Sequence, residues 1–341
     1  MRIIIDAMGG DNAPAAAVEG ALDAASEFGV DITLTGDAAA IASCLAARNV
    51  RADGEHIRVV PTTEVITMED EPSMAVRMKS DSSMSVGLRL LAHDEGDAFV
   101  SAGSTGALLS GATVVVRRVK GIRRAALAPV VPNTGHGVLL IDCGANLECT
   151  PEYLLQFAYM GSFYAKNIMG LENPRVSQLN IGVEECKGGQ NQIAAYKALT
   201  AAGEAGRINF TGNIEAREAM LGQTDVLVCD GFTGNIFLKT VEGTALFLLK
   251  EIKTAFLSSM KSKLGALLLK DGVVKIKEKV DVSETGGTIM LGLRKTVVKA
   301  HGSCNARAFR SAIKQAIGFV EADVIGEIER NIEYMKLDKE S

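Results

Sequence analysis

Short apolar runs alternate along the chain with polar, glycine-bearing turns, and segments with apolar residues at helical spacing fill many of the gaps. Arg2 to Ile5 predicts a first strand, the loop Asp6–Pro14 follows it, and Ala15 to Phe28 reads as an alanine-rich helix with Pro14 at its start. Val30 to Thr35 predicts the next strand, with a helix to about Ala47, and Ile57 to Val60 a third. The stretch Thr67 to Met84 is polar and irregular and then turns helical, SDSSM being a good helix start. Further strands are expected at Ala98–Ser101, Val138–Ile141, Leu179–Ile181, Ile208–Phe210 and Val226–Cys229, with a helix after Pro151. Ile289 to Gly292 is another apolar run, Val297 to Ala300 a last strand, and Ala306 to about Ile332 one long amphipathic helix. Strands alternating with helices predict an α/β fold, a mostly parallel sheet with helices on both faces, in one two-lobed unit over the 341 residues.

Six of the runs end in polar, mostly glycine-bearing loops: Asp6–Pro14, Ala102–Gly106, Asp142–Asn146, Gly182–Gly189, Thr211–Asn213 and Asp230–Asn235. In a parallel sheet such loops share the carboxyl edge, where open α/β sheets bind their ligands. The stretch Asp225 to Gly243 is the most informative. An apolar strand breaks at DGFTGN, and apolar spacing resumes at Ile236, so a helix is expected to start near Thr233 to Asn235. A glycine turn at a helix N-terminus suits an anion, because free N–H groups and the helix dipole face it; the same pattern also serves as an ordinary connection. The common cofactor signatures are missing: no GxxxxGK[ST], no GxGxxG after a strand, no HExxH and no GxSxG.

A net charge of −5 argues against general nucleic-acid binding. The six cysteines are scattered, which argues against a disulfide framework or zinc site. MRIIIDAMGG reads as a strand rather than a signal peptide, and no apolar run reaches membrane-spanning length, so a cytoplasmic protein is expected. From about 243 to 281 the chain turns lysine-rich around the apolar tip Leu264-Gly265-Ala266-Leu267-Leu268-Leu269. This reads as a helical hairpin arm that either docks on anionic lipid through Leu264, Leu267, Leu268 and Leu269 or packs a dimer. His301, after the last strand, is either a general acid or donor, or a structural histidine.

Taken together, DAMGGDNAP, KSDSSM, SAGSTGALL, DCGANLECTPEYLLQFAYMG, LNIGVEECKG, FTGNIEAREA, VLVCDGFTGNIFLKTVEG, GGTIMLGL and VKAHGSCNARAF resemble the phosphate acyltransferases, from Met1 to about Ile332. These enzymes convert acyl–acyl carrier protein and phosphate into acyl phosphate. Two positions depart from the family pattern, Ser104 where Asn is usual and Cys304 where Ser is usual, and both keep a small side chain. The resemblance implies a three-layer α/β/α sandwich like isocitrate and isopropylmalate dehydrogenases, a homodimer, no metal or organic cofactor, and peripheral membrane attachment. It also implies an entry step of glycerophospholipid synthesis, with contact to a glycerol-3-phosphate acyltransferase.

Under that resemblance Lys187 is the expected charge stabiliser, with His301 and Lys79 as further catalytic candidates. Ser104, Thr105 and Gly106, with Thr233, Gly234 and Asn235, are expected to hold phosphate, and Gly231 to bind substrate beside them. Gly9, Gly10, Ser82, Asn146 and Asn305 complete the substrate-binding set, and Asp6, Asp11 and Asp230 are expected to orient donors, since bare carboxylates repel phosphate. The basic run Arg117, Arg118, Lys120, Arg123 and Arg124 is the expected contact for the acidic carrier protein. Two rivals stay open, a coenzyme-A-dependent phosphate acetyl- or butyryltransferase and a non-catalytic membrane scaffold.

Overall fold

The structure is a computed structural model and describes residues 1–51, 56–270, 272–274, 276 and 286–337. The strands fall into two sheets. The first comprises β1 (Arg2–Asp6), β2 (Asp31–Gly36), β3 (Ile57–Pro61), β4 (Ala98–Ser101), β5 (Ala126–Ala128), β11 (Thr288–Leu291) and β12 (Thr296–Lys299), ordered β3-β2-β1-β4-β12-β11-β5. All neighbours from β3 to β12 are parallel, whereas β11 runs antiparallel to both β12 and β5. The second sheet, ordered β6-β7-β10-β8-β9, comprises β6 (Val130–Val131), β7 (Val138–Ile141), β8 (Arg175–Leu179), β9 (Asn209–Ile214) and β10 (Val226–Val228). It is parallel apart from its edge strand β6. The chain crosses between sheets at β5–Pro129–β6, where Cys143 N–H donates to Leu127 O (3.2 Å) and Leu140 N–H to Pro129 O (3.0 Å).

The apolar runs are continuous because helices cover both faces. Ile3 and Ile5 point into one core with Ala17 and Val18 of α1 (Ala15–Phe28) and Phe309 and Ile313 of α11 (Ala306–Glu321). Ile4 points the other way, toward Leu88 of α4 (Ser83–Ala92) and Leu108 of α5 (Thr105–Val115). Both cores continue under the second sheet, one through α6 (Pro151–Asn167), the other through the start of α9 (Gly231–Leu257). This is the α/β/α layering expected, but with the strands divided between two sheets, the first and second lobes, rather than gathered in one.

Local boundaries differ in four places. Thr211–Asn213 is strand, not loop: Gly212, at φ +95°, makes a bulge in β9, and Thr211 and Ser177 hydroxyls share a hydrogen bond (2.7 Å) across β9 and β8. β8 ends at Leu179, leaving Asn180 and Ile181 outside it. α9 begins at Gly231, earlier than expected, because Asp230 caps it by accepting from Thr233 N–H (2.8 Å). The final helix is two, α11 and α12 (Val324–Asn331), separated where Asp323 adopts a left-handed φ of +48°.

The expected arm is the outer end of α9, followed by α10 (Met260–Leu268), which packs back against it. At 27 residues α9 is about 40 Å long, and its buried residues all lie in its first two turns. Lys275, Lys277, Lys279 and the arm's end at 281 lie outside the described residues. Among the described residues no helix is long and apolar enough to cross a membrane.

Candidate active site

The first lobe brings three loops together at its carboxyl edge. Asp6, the last residue of β1, is buried; it accepts from Ser101 Oγ (2.7 Å) and Met8 N–H (3.2 Å), and desolvation pushes its carboxyl up. Ser101 Oγ in turn accepts from Gly103 N–H (3.0 Å). The Gly9–Gly10 turn lies against Ala102, Gly103 and Gly302, and Asp11 N–H donates to Gly302 O (2.8 Å). Ser104 caps α5, leaving Thr105 and Gly106 in its first, part-exposed turn. Asn305 caps α11 by accepting from Ala308 N–H (3.0 Å).

His301 is exposed. Its Nδ1 accepts from Ser303 N–H (3.3 Å), which places the proton of the neutral ring on Nε2. Two other candidates are engaged in their own segment. Lys79 Nζ donates to Asp70 (2.7 Å) and Val65 O (2.8 Å), and its ammonium draws the Asp70 carboxyl down to about 2. Ser82, fully buried, caps α4 and donates to Ser85 Oγ (2.7 Å).

In the second lobe the β7–α6 loop and the start of α9 are locked together. Asp142 is buried and accepts from the N–H groups of Leu127 (2.9 Å), Ala145 (3.3 Å) and Asn146 (2.7 Å) and from Asn146 Nδ2 (3.0 Å). Gly231 N–H donates to Asn146 O (2.7 Å), and a side chain at Gly234 would place Cβ 1.9 Å from Asp142 O. Only glycine allows that approach. Thr233 and Asn235, both exposed, leave the first turn of α9 on different sides. Asn235 faces Gly144, while Thr233 faces a cavity of about 750 Å³.

That cavity is walled by Leu179, Met220, Ile236, Phe237 and Val241, among others, and its rim includes Asp230 of the α9 cap and Gly188 and Gly189. Gly189 is the N-cap of α7 (Gln190–Glu204) and offers no side-chain cap, so the orphan N–H groups of α7 are left to a ligand or solvent. Lys187 lies on the same loop, its side chain against Gly182. Among the described residues no group pairs with its ammonium. The cavity thus carries an apolar wall beside two helix N-termini, with Lys187 on the loop that leads into one of them.

Reasoning from sequence missed Lys299 and Asp142. Lys299, singled out by no motif, is half-buried at the end of β12, and desolvation brings its ammonium down to about 8. Its place directly before the His301-Gly302 loop was the available signal. Four cysteines, Cys143, Cys149, Cys229 and Cys304, are buried with thiols raised by burial, Cys149 to about 12. None of these four is a thiolate at neutral pH. Among the described residues no three His, Cys, Asp or Glu side chains are grouped to hold a metal ion.

Residues 1–327 match the family described as fatty acid synthesis protein. The chain is 46% identical over 333 residues to the phosphate acyltransferase of Clostridioides difficile, covering 97% of this chain and 96% of that protein. Its fold is similar to that of a phosphotransacetylase from Streptococcus pyogenes, with a TM-score of 0.66 at 16% identity, covering 96% of this chain and 94% of that one. A Salmonella typhimurium protein assigned as a 4-hydroxythreonine-4-phosphate dehydrogenase is similar at TM-score 0.53 and 16% identity, over 93% and 99% of the two chains, which agrees with a dehydrogenase-like sandwich. With this identity spread over nearly its whole length, the chain belongs to the phosphate acyltransferase family and is an acyltransferase of lipid synthesis.

Proposed function

We propose that the enzyme moves a fatty acyl group from acyl–acyl carrier protein to inorganic phosphate, and that the acyl phosphate feeds glycerophospholipid synthesis. The observation that carries this reading is the pairing, around one cavity of about 750 Å³, of an apolar wall with the N-termini of α7 and α9. That volume lies within the roughly 300–1,000 Å³ of small-ligand sites. A dianion and an apolar acyl or pantetheine segment are the two chemistries such a site accepts side by side.

Phosphate is its own nucleophile, since a phosphate group with a second pKa of about 6 is largely dianionic at neutral pH. An oxygen of phosphate attacks the thioester carbonyl carbon, a C–O bond forms, the C–S bond breaks, and the thiolate leaves and is protonated. The raised buried thiols favour this direct transfer over an acyl–cysteine intermediate at any of those four. The protein's part is to hold phosphate on the turns Ser104–Gly106 and Thr233–Asn235 and to stabilise the oxyanion with Lys187. Asp6, Asp142 and Asp230 orient donors, each already accepting the hydrogen bonds described above. The basic run Arg117–Arg124 is the proposed carrier-protein contact; within it Arg123 is braced by Glu152 (3.1 Å) and Arg124 stacks over Tyr153.

Phosphate-dependent loss of a long-chain acyl–acyl carrier protein, measured beside the matching acyl–coenzyme A, tests the reading. Loss from the carrier protein with acyl phosphate formed is the expected result. Turnover of the coenzyme A thioester alone moves the chain to an acetyltransferase-like role, and turnover of neither leaves the scaffold.

A further inference from the structure

Lys299 lies behind the turn that begins α5. Its Nζ donates to Ala102 O (3.3 Å) and to Ala300 O, one carbonyl from the β4–α5 turn and one from the β12 loop. An ammonium carries three donors, and the third has no partner among the described residues. Ala102 O is the carbonyl four residues before Gly106, the one a longer helix would use for Gly106 N–H. The helix instead starts at Thr105, and the N–H groups of Ser104, Thr105 and Gly106 have no partner among the described residues. We propose that Lys299 is the positioning residue of the phosphate site: by holding the Ala102 carbonyl inward it keeps the Gly106 N–H free for the anion, beside those of Ser104 and Thr105, and its charge lies behind the turn. The proposal rests on the reading that the Ser104–Gly106 turn holds phosphate.

The charged environment suits that task. Asp6 at the end of β1, Asp11 in the following loop and Cys304 beyond β12 face Lys299 from the first lobe, and Lys239 of α9 faces it from the second. Asp6 and Asp11 favour the ammonium, while Lys239 and burial oppose it. Lys239 is itself ion-paired to Glu242 (2.7 Å), so its opposition is weak. Because burial brings Lys299 down to about 8, its charge is lost near that pH, and phosphate affinity is lost with it.

The test is the KM for phosphate from pH 6.5 to 9.5 in the wild type, Lys299→Met and Lys299→Arg, with the thermal shift produced by inorganic phosphate alone as a readout independent of turnover. In the wild type KM should rise as pH passes about 8. Lys299→Met should raise KM about 10- to 100-fold, with no further rise at alkaline pH, and should lose the phosphate-induced thermal shift. Lys299→Arg stays charged, so it should recover part of the affinity and lack the alkaline rise. A Lys299→Met enzyme with wild-type KM, or with the alkaline rise intact, overturns the proposal. If Lys299→Met does not fold, an alkaline rise unchanged in Lys299→Arg overturns it equally. A phosphate-induced shift that depends on Lys299 in a protein that turns over neither thioester sinks the acyl-transfer reading and leaves this one standing.

Discussion

Gly234 and Lys187 divide the residue-level argument between fold and chemistry. At Gly234 the constraint is geometric, because a Cβ 1.9 Å from Asp142 O forces α9 away from the β7–α6 loop. Gly234→Ala should therefore destabilise by about 1–3 kcal/mol, the usual cost of overpacking, read as a lower urea midpoint with unchanged slope. Lys187 has the opposite character. It is half-exposed and unpaired among the described residues, so Lys187→Ala should leave folding and assembly intact while lowering kcat about 100- to 1,000-fold, the scale of losing one oxyanion donor; unchanged turnover removes it from the mechanism. Motif reading picked out Asp230 and Ser104 as binding candidates, and the structure makes each a helix cap. Lys299 and Asp142 escaped it because burial of a charge depends on what packs from other segments. Lys79 shows the converse, a lysine in a family motif whose partner, Asp70, is visible only in three dimensions.

Among the elements, strand–turn–helix units were legible where an apolar run gave way to a polar turn, as at Arg2–Asp6, although at Asp230 the cap set the helix start earlier than the apolar spacing implied. They were not legible where polar residues stand inside a strand, as Thr211 and Asn213 do in β9, satisfied by Ser177 and by Glu184 O. The antiparallel β11 could not be told from a parallel strand, since both bury the same residue types. The arm is the element whose purpose is least fixed by its own fold. Leu264, Leu267, Leu268 and Leu269 of α10 and its end are all exposed, and Lys261, Lys263 and Lys270 stand among them. Such a segment pairs apolar burial with attraction to anionic headgroups, about 1 kcal/mol per surface lysine. Leu267→Glu with Leu268→Glu should release the enzyme from anionic vesicles in a flotation assay and leave turnover of soluble substrate unaltered. Binding that persists assigns the arm to packing alone.

For the whole molecule, Lys299 at the end of β12 in the first sheet and Lys239 of α9 beside the second lie near enough to interact electrostatically. α9 runs from the candidate site to the exposed arm, so one helix carries both the turn proposed to hold phosphate and the arm. Its outer half displays Leu246, Phe247, Leu248, Ile252 and Leu257 to solvent in the single chain. Large apolar side chains exposed all round a helix are the signature of a segment that another protein chain or a membrane covers. The homodimer expected from family resemblance would bury the part nearest the body, leaving the leucine tip of α10 for lipid. Leu246→Glu with Phe247→Glu should then convert a dimer into a monomer by sedimentation velocity, while Leu267→Glu with Leu268→Glu should leave the dimer whole. The two pairs lie on successive helices of one hairpin, so their effects separate the roles: loss of dimer without loss of vesicle binding from the first, and the reverse from the second. If the first pair leaves the sedimentation coefficient unchanged, the outer half of α9 is not the dimer contact.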